Sequence, residues 1–529
     1  MPASRRARIL IWTATIATVV LAAAIAAAFA CNRALSAIVR DRTIRALKET
    51  FGSDLEMKSL SVVVFPHFHM AGEGLVLHYR GRTDLPPLIS IRSVSAHTGL
   101  LALLAGHINQ VRLEGLEVQV PPKSERGRQP LTSGAAHPPR FVIDELISEQ
   151  AVLKTLPNDP DKDPLVWEIH HLVLHDAGSS SATPFRARLV NAKPPGEIET
   201  SGKFGPWRTE EPRATPVEGS YTFQKADLSS LKGISGTLSS QGTYQGVLER
   251  IQVHGTTDTP DFALDVSGNR FHLTTEFDAV VDGTDGNTLL QPVRAHFGRS
   301  SVIARGAVKG KMGGNGKAIA LDVVEHGRLE DMLRLGVKGR NPTMSGAISF
   351  RAKLLIPPGD VDISKKMKLA GAFTAESAHF SNTDIQDKVN KLSHRGQGDP
   401  KAPPDDTVAS DFAGQFKLGN GVASFEKLSF TVPGVRVALQ GSYDLADQSM
   451  DFHGTAKLDA KLSQTTTGFK SFLLKAADPF FKKKDAGAEL PVKITGSRDK
   501  PSFGLEFHRH KNSEPAATGG TNVSSIHQR

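Results

Sequence analysis

The sequence predicts a mainly β protein with an N-terminal transmembrane helix and a few short helices. Three observations lead to this fold class. The 529 residues include 48 Gly and 31 Pro, the punctuation of a turn-rich β fold and not of a helical bundle. From Phe141 onward apolar and polar residues alternate with period two, the mark of strands with one apolar and one polar face. Ile9 to Ala30 form one unbroken apolar run of 22 residues.

That run would span about 33 Å as a helix, enough to cross the hydrocarbon core of a bilayer. Arg5, Arg6 and Arg8 precede it, which favours residues 1–8 in the cytoplasm and everything beyond residue 30 across the membrane. Ala28-Phe29-Ala30 also fits a signal-peptide cleavage site, and Cys31 follows as a conceivable lipidation site. The run is longer than the 7–15 residues of a signal h-region, so residues 9–30 are read as an uncleaved transmembrane anchor. All three readings export the chain. Cys31 is the single cysteine, so no intramolecular disulfide or cysteine-based zinc site can form.

Residues 31–53 read as a juxtamembrane helix, with Leu35, Ile38, Val39, Leu47 and Phe51 at helical spacing and Gly52 as a stop. Strand signals follow at Leu60–Phe65, His67–Met70 and Gly74–Tyr79, interrupted by a short apolar helix over Gly99–Ala105. Ile108–Leu113 and Leu116–Val120 continue the strands, and Pro121–Pro139 reads as a loop. Strands of about six to nine residues separated by Gly, Asn or Asp turns are expected after that. Helices are expected only at Arg328–Leu335, Ile385–Leu392 and Phe469–Ala477. Gly419-Asn420-Gly421 predicts a hairpin turn between Phe416 and Val422.

The alternation picks out candidate positions on the apolar face. They are Phe262, Leu264 and Val266; Phe271, Leu273, Phe277 and Val281; and Met450, Phe452 and Leu458. A sheet with one apolar face must cover it with a second sheet, with helices, or with something other than protein. The few helices cannot cover some twenty or more strands. Face-to-face sandwiches are the commoner solution. The other is one long curved sheet whose apolar face lines a groove filled by acyl chains, and periodicity alone leaves both open.

Segments in a specific order then resemble the AsmA-like family. Ser59–Leu77 (SLSVVVFPHFHMAGEGLVL) and Ser93–Val120 resemble its N-terminal signature, and Gly242–Phe262 its middle region. Ala375–Asn382, Asp387–Gly398 and Glu489–Phe503 are similar to its C-terminal region. The resemblance implies an N-terminal and central β region over 54–355 and a C-terminal region over 356–510; residues 511–529, polar and rich in Ser, Thr and Gly, read as a disordered tail. It implies an elongated, curved antiparallel sheet forming a hydrophobic groove in the periplasm, anchored to the inner membrane. Its implied partners are phospholipids or other acyl-chain lipids, with outer-membrane or envelope proteins, in phospholipid transport or outer-membrane homeostasis. It carries no catalytic residues and no cofactor. A non-catalytic scaffold that binds envelope proteins through its sheet is the alternative. An exported hydrolase comes third, since no nucleophile–base or metal constellation appears.

The formal charge of +9 arises from 64 Lys and Arg mixed among 55 Asp and Glu, with no stripe for nucleic acid. The clearest basic cluster, Lys482, Lys483 and Lys484, directly follows Phe480 and Phe481. With Phe469, Phe472 and Leu473 on one helical face before it, this segment reads as a membrane-surface element or as a helix capping the last strands. Replacing the three lysines with Glu is expected to weaken binding to anionic liposomes, and unchanged binding would remove the membrane reading. His67 with His69, and His171 with His175, share strand faces, while His170 and Asp176 lie nearby, but neither pair has a third ligand at a useful spacing. Gly313-Gly314-Asn315-Gly316-Lys317 lacks the first Gly and the Ser or Thr of a phosphate loop and reads as a turn.

Overall fold

The computed structural model describes residues 55–505 except 64–67, 79–85, 121–141, 157–163, 207, 209–211, 284–285, 311–315, 360, 400–406, 461–488 and 499. The apolar run 9–30, the juxtamembrane segment 31–53, the Phe469–Lys484 segment and the tail 511–529 lie outside the described residues. Among the described residues no helix is long and apolar enough to cross a membrane. The protein is mainly β, built as long antiparallel sheet with few helices. It divides into two compact units, residues up to 382 with 415–423, and 383–414 with residues from 424 onward.

In the first unit β1 (Leu55–Glu56) and β2 (Ser59–Val63) both pair with β3 (Phe68–Leu77), which pairs with β4 (Ile89–Thr98). Helix α1 (Leu100–Leu104) follows, its start held by Asn109, whose Oδ1 accepts from Thr98 Oγ1 at 2.8 Å and from Gly99 N at 3.2 Å. Next come β5 (His107–Glu114) and β6 (Glu117–Val120), one line broken at Gly115, where φ is +62°. Both run antiparallel to β4 and parallel to β7 (Val142–Thr155). This parallel join departs from the all-antiparallel expectation. A parallel neighbour needs a long crossover, and residues 121–141 supply the length.

From β7 the ladder runs neighbour to neighbour through β8 (Leu165–Ala177), β9 (Thr183–Val190), β10 (Glu197–Phe204) and β11 (Pro216–Asp227). It continues from β11 to β13 (Thr237–Val247), which pairs with β14 (Arg250–Leu264) as the two-residue β12 (Ile234–Ser235) also does, and then through β15 (Arg270–Val281) and β16 (Thr288–Phe297). Then follow β17 (Ser300–Gly310), β18 (Lys317–Arg328), helix α2 (Leu329–Gly336), β19 (Met344–Ile356), helix α3 (Ile363–Lys366) and β20 (Lys368–Phe380). The second unit holds α4 (Thr383–Gly396), β23 (Val435–Asp444), β24 (Ser449–Leu458), β25 (Glu489–Ser497) and β26 (Lys500–Leu505), while β21 (Ser410–Gly419) and β22 (Val422–Val432) are divided between the units, residues 415–423 belonging to the first. Asn420 (φ +53°) and Gly421 (φ +80°) turn the β21–β22 hairpin, the two positive values that a tight primed turn requires.

Strands are longer than the sequence suggested, up to the 15 residues of β14. Glycines read as turn punctuation lie inside them instead. Gly202 pairs with Gly219, Gly219 with Tyr244, Gly242 with Tyr221, and Gly255 with Phe277. A Cβ at Gly202 would collide with the Glu218 carbonyl, and one at Gly255 would sit 2.8 Å from Tyr221 Oη and 2.9 Å from the Phe277 ring. Gly219, Gly242 and Gly255 make room for aromatic rings laid over them from neighbouring strands, while Gly202 lets the backbone of β11 come close. Gly242→Val, whose Cβ would meet the His254 carbonyl and the Tyr221 ring, is expected to lower stability by roughly 1–3 kcal/mol in denaturant titration. An unchanged midpoint would show that the neighbouring strand moves aside freely.

Candidate functional site: an apolar sheet face and its helical covers

Among the described residues of the first unit the strands join into one continuous hydrogen-bonded sheet, each making its extensive contacts with its ladder neighbours. One row of direct cross-strand partners reads Ala187, Thr200, Tyr221, Gly242, Gly255, Phe277, Val293, Ala304, Val323, Ala352 and Gly371. It crosses eleven strands, about 48 Å at the usual strand spacing. The parallel row on the same face carries Ile198, Phe223, Ser240, Thr257, Thr275, Ala295, Val302, Glu325, Phe350 and Phe373. Of the larger apolar side chains of these rows, Ile198, Phe223, Phe277, Val293, Val302, Phe350 and Phe373 are half-buried, neither sealed in a core nor fully in water, and Val323 is buried. Tyr244 on this face ties its hydroxyl to Thr200 Oγ1 at 2.7 Å, and burial pushes its pKa up while that hydrogen bond pulls it partly back.

The opposite face is polar. Arg188 meets Glu199 at 2.9 Å, Lys225 meets Glu197 at 3.1 Å, and His254 meets Asp278 at 2.9 Å, all exposed. Such pairs contribute little stability individually, but they keep that face wetted. A shallow open depression of about 570 Å³ over β9–β14 includes Arg186, Glu199, Thr243 and His254 of this face.

Leu273, Phe277 and Val281 take half-buried places on the apolar face, together with Phe262, which a bulge after Thr259 sets opposite Phe271. Leu264 ends β14 against Ile234. Val266 does not extend this strand as expected. It lies beyond β14 in the turn to β15, because the chain reverses after Leu264 through Ser267 and Gly268, whose N–H groups both bond to the Leu264 carbonyl. Met450 and Phe452 are half-buried on β24 in the second unit. Phe271 (5% exposed) and Leu458 (7% exposed) are not open positions at all, because each lies in the closed part of its unit.

The closure is helical. In the first unit α2 lies over the ends of the strands around β14–β19: Arg334 stacks its guanidinium 5.0 Å from the Phe271 ring, and Phe271 packs edge-on to Phe297 at 5.6 Å. Asn269, in the β14–β15 turn, donates its Nδ2 to the Arg334 carbonyl at 2.8 Å and the Gly339 carbonyl at 3.0 Å, holding the end of α2. At its start, Asp331 accepts from Arg299 N at 2.7 Å and Ser300 Oγ at 3.4 Å, and Glu330 accepts from Arg299 at 2.7 Å and Arg328 at 3.0 Å. In the second unit the C-terminal end of α4 packs on Val435 and Gly434, beside Leu458, and Ser393 Oγ donates to the Pro433 carbonyl at 2.8 Å. Buried Gln386 bridges to Asn390 and to the Val408 carbonyl, both at 2.9 Å.

Sequence reasoning missed Glu325. It occupies an inward position of β18 after Ile319, Leu321 and Val323, is 0% exposed, and neither carboxylate oxygen has a hydrogen-bond partner. An acid in step with an apolar period-two run was the available signal. Burial first, and the neighbouring Asp331 carboxylate second, push its pKa up to about 7, while the nearby Ser300 hydroxyl pulls it partly back. Glu330 behaves oppositely: burial raises it, but hydrogen bonds from its own backbone, Arg328 and Gly346 outweigh this and hold it below the usual carboxylate range.

The rings of the cross-strand partners His69 and His97 meet at a tilt of 46° with centroids 4.4 Å apart, and no cluster of three His, Cys, Asp or Glu able to hold a metal occurs among the described residues. The candidates Phe469, Phe472, Leu473, Phe480, Phe481, Lys482, Lys483 and Lys484 lie outside the described residues. No family model matches the chain, and neither curated proteins nor solved structures give a match.

Proposed function

We propose that this protein binds acyl-chain lipids along the apolar face of its sheet and serves as a membrane-anchored lipid conduit or lipid-handling protein of the cell envelope. The observation that supports this reading is one continuous ladder whose large apolar side chains stay half-buried over many strands. Covering such a surface with hydrocarbon gains roughly 0.8 kcal/mol per buried methylene. The attraction is non-directional, so a chain held this way keeps freedom to slide. The resemblance of Ser59–Leu77 and Ser93–Val120 to AsmA-like proteins points the same way, as does the apolar run at residues 9–30.

A photo-crosslinking side chain at Phe277, on the apolar face, should capture phospholipid in membranes, while one at the adjacent exposed Glu276 should not. Equal capture at both positions, or none at Phe277, would overturn the reading. Capture of envelope proteins instead would favour the scaffold.

A further inference from the structure

We infer that Glu325 is a proton-operated latch for α2: neutral, it lets α2 lie closed over Phe271 and Phe297, and ionised, it drives α2 off and opens that part of the apolar face. The geometry carries this. Both oxygens of Glu325 are buried and make no hydrogen bond, so a charge there is cut off from bulk solvent, with only the nearby Ser300 hydroxyl to offset it in part. Its direct cross-strand neighbours are Val302 on β17 and Phe350 on β19, which supply no counter-charge.

The groups around it add none either. On α2, Asp331 is itself a buried carboxyl group, and Glu330 is committed to Arg299 and Arg328. Arg334 lies over the Phe271 ring. From the β16–β17 turn, Arg299 gives its N–H to Asp331, and Ser300 divides its hydroxyl between Asp331 and Arg328 N. On β18 itself, His326 is exposed on the other side of the strand.

When Glu325 gives its proton to water, two carboxylates face each other, one on the sheet and one on the helix. The sheet is held by ladders on both sides of β18, whereas α2 is held by its first-turn cluster and by Asn269. The helix is therefore the element that moves, and moving it lets water reach Glu325. A carboxyl that titrates near neutrality places this transition within ordinary pH. The latch rests on the lipid reading only for what the uncovered surface receives. The movement of α2 belongs to the chain whether or not lipid binds.

The test is hydrogen–deuterium exchange of the full chain in detergent, following the peptide over residues 329–336 and correcting for intrinsic exchange rates. Wild-type protection should fall roughly fifty-fold between pH 5 and pH 8, with little further change above pH 8. Glu325→Gln, which keeps the shape of the neutral acid, should stay protected at both values. Wild-type protection independent of pH, or a variant that follows the wild-type profile, would overturn the latch. Lipid capture at Phe277, well away from α2 along β15, reports separately on the lipid reading.

Discussion

Glu325→Gln is expected to raise the thermal unfolding midpoint at pH 8 and to leave it nearly unchanged at pH 5. The folded-state pKa of about 7 lies above the unfolded value of 4.5. Below pH 4.5 both states hold the proton and the group is neutral to stability. Between 4.5 and 7 the folded state keeps a proton that the unfolded chain has released, so stability falls as pH rises, and above 7 the loss is complete. The difference between pH 5 and pH 8 amounts to roughly 2–3 kcal/mol. Opening of α2 caps the loss, since water then solvates the carboxylate, so the midpoint should move less than the exchange of α2. Glu325→Leu should stabilise further by removing an unsatisfied polar group from between Val302 and Phe350. Parallel pH profiles for wild type and Glu325→Gln, followed by circular dichroism, would refute this account.

A chain that keeps such a residue at a cost in stability marks a place where local rules are broken for a reason. The rest of the fold follows those rules closely. Alternation in Phe271–Val281 correctly separates the two faces of β15, and Asn420-Gly421 dictates its turn through backbone geometry alone. Helices α2 and α4 were legible from their apolar spacing to within a few residues.

Period-two reading could not foresee which face positions would be covered. Phe271 and Phe277 carry the same side chain in the same strand, yet one lies under α2 and the other stands half-exposed. That difference depends on Asn269 and Arg299 pinning a helix more than thirty residues further along the chain. Strand lengths were misread for a related reason. A glycine under an aromatic ring, such as Gly255 beneath Phe277, has the same signature in sequence as a glycine in a turn. The parallel pairing of β5 with β7 left no local trace either, because pairing direction is set by a crossover and not by the strands themselves.

Phe277→Asp should separate a conduit from a mere lipid store. Phe277 sits midway along the row from Ala187 to Gly371, between Gly255 and Val293. It is half-buried, so the fold should survive at a cost of roughly 1–2 kcal/mol, less than for a fully buried ring. A carboxylate at that point must shed water before an acyl chain can cover it, a penalty of several kcal/mol that no neighbouring cation offsets. A store would lose only the lipid bound locally, and co-purifying phospholipid would fall by a modest fraction. A conduit requires an unbroken apolar path, so one interruption should reduce lipid transfer between donor and acceptor vesicles by tenfold or more while much of the bound lipid remains. Glu276→Gln, on the polar face one residue away, should change neither quantity. Loss of transfer in proportion to bound lipid would mean that the sheet holds lipid without passing it on, since binding sites that act independently cannot be blocked by the failure of one.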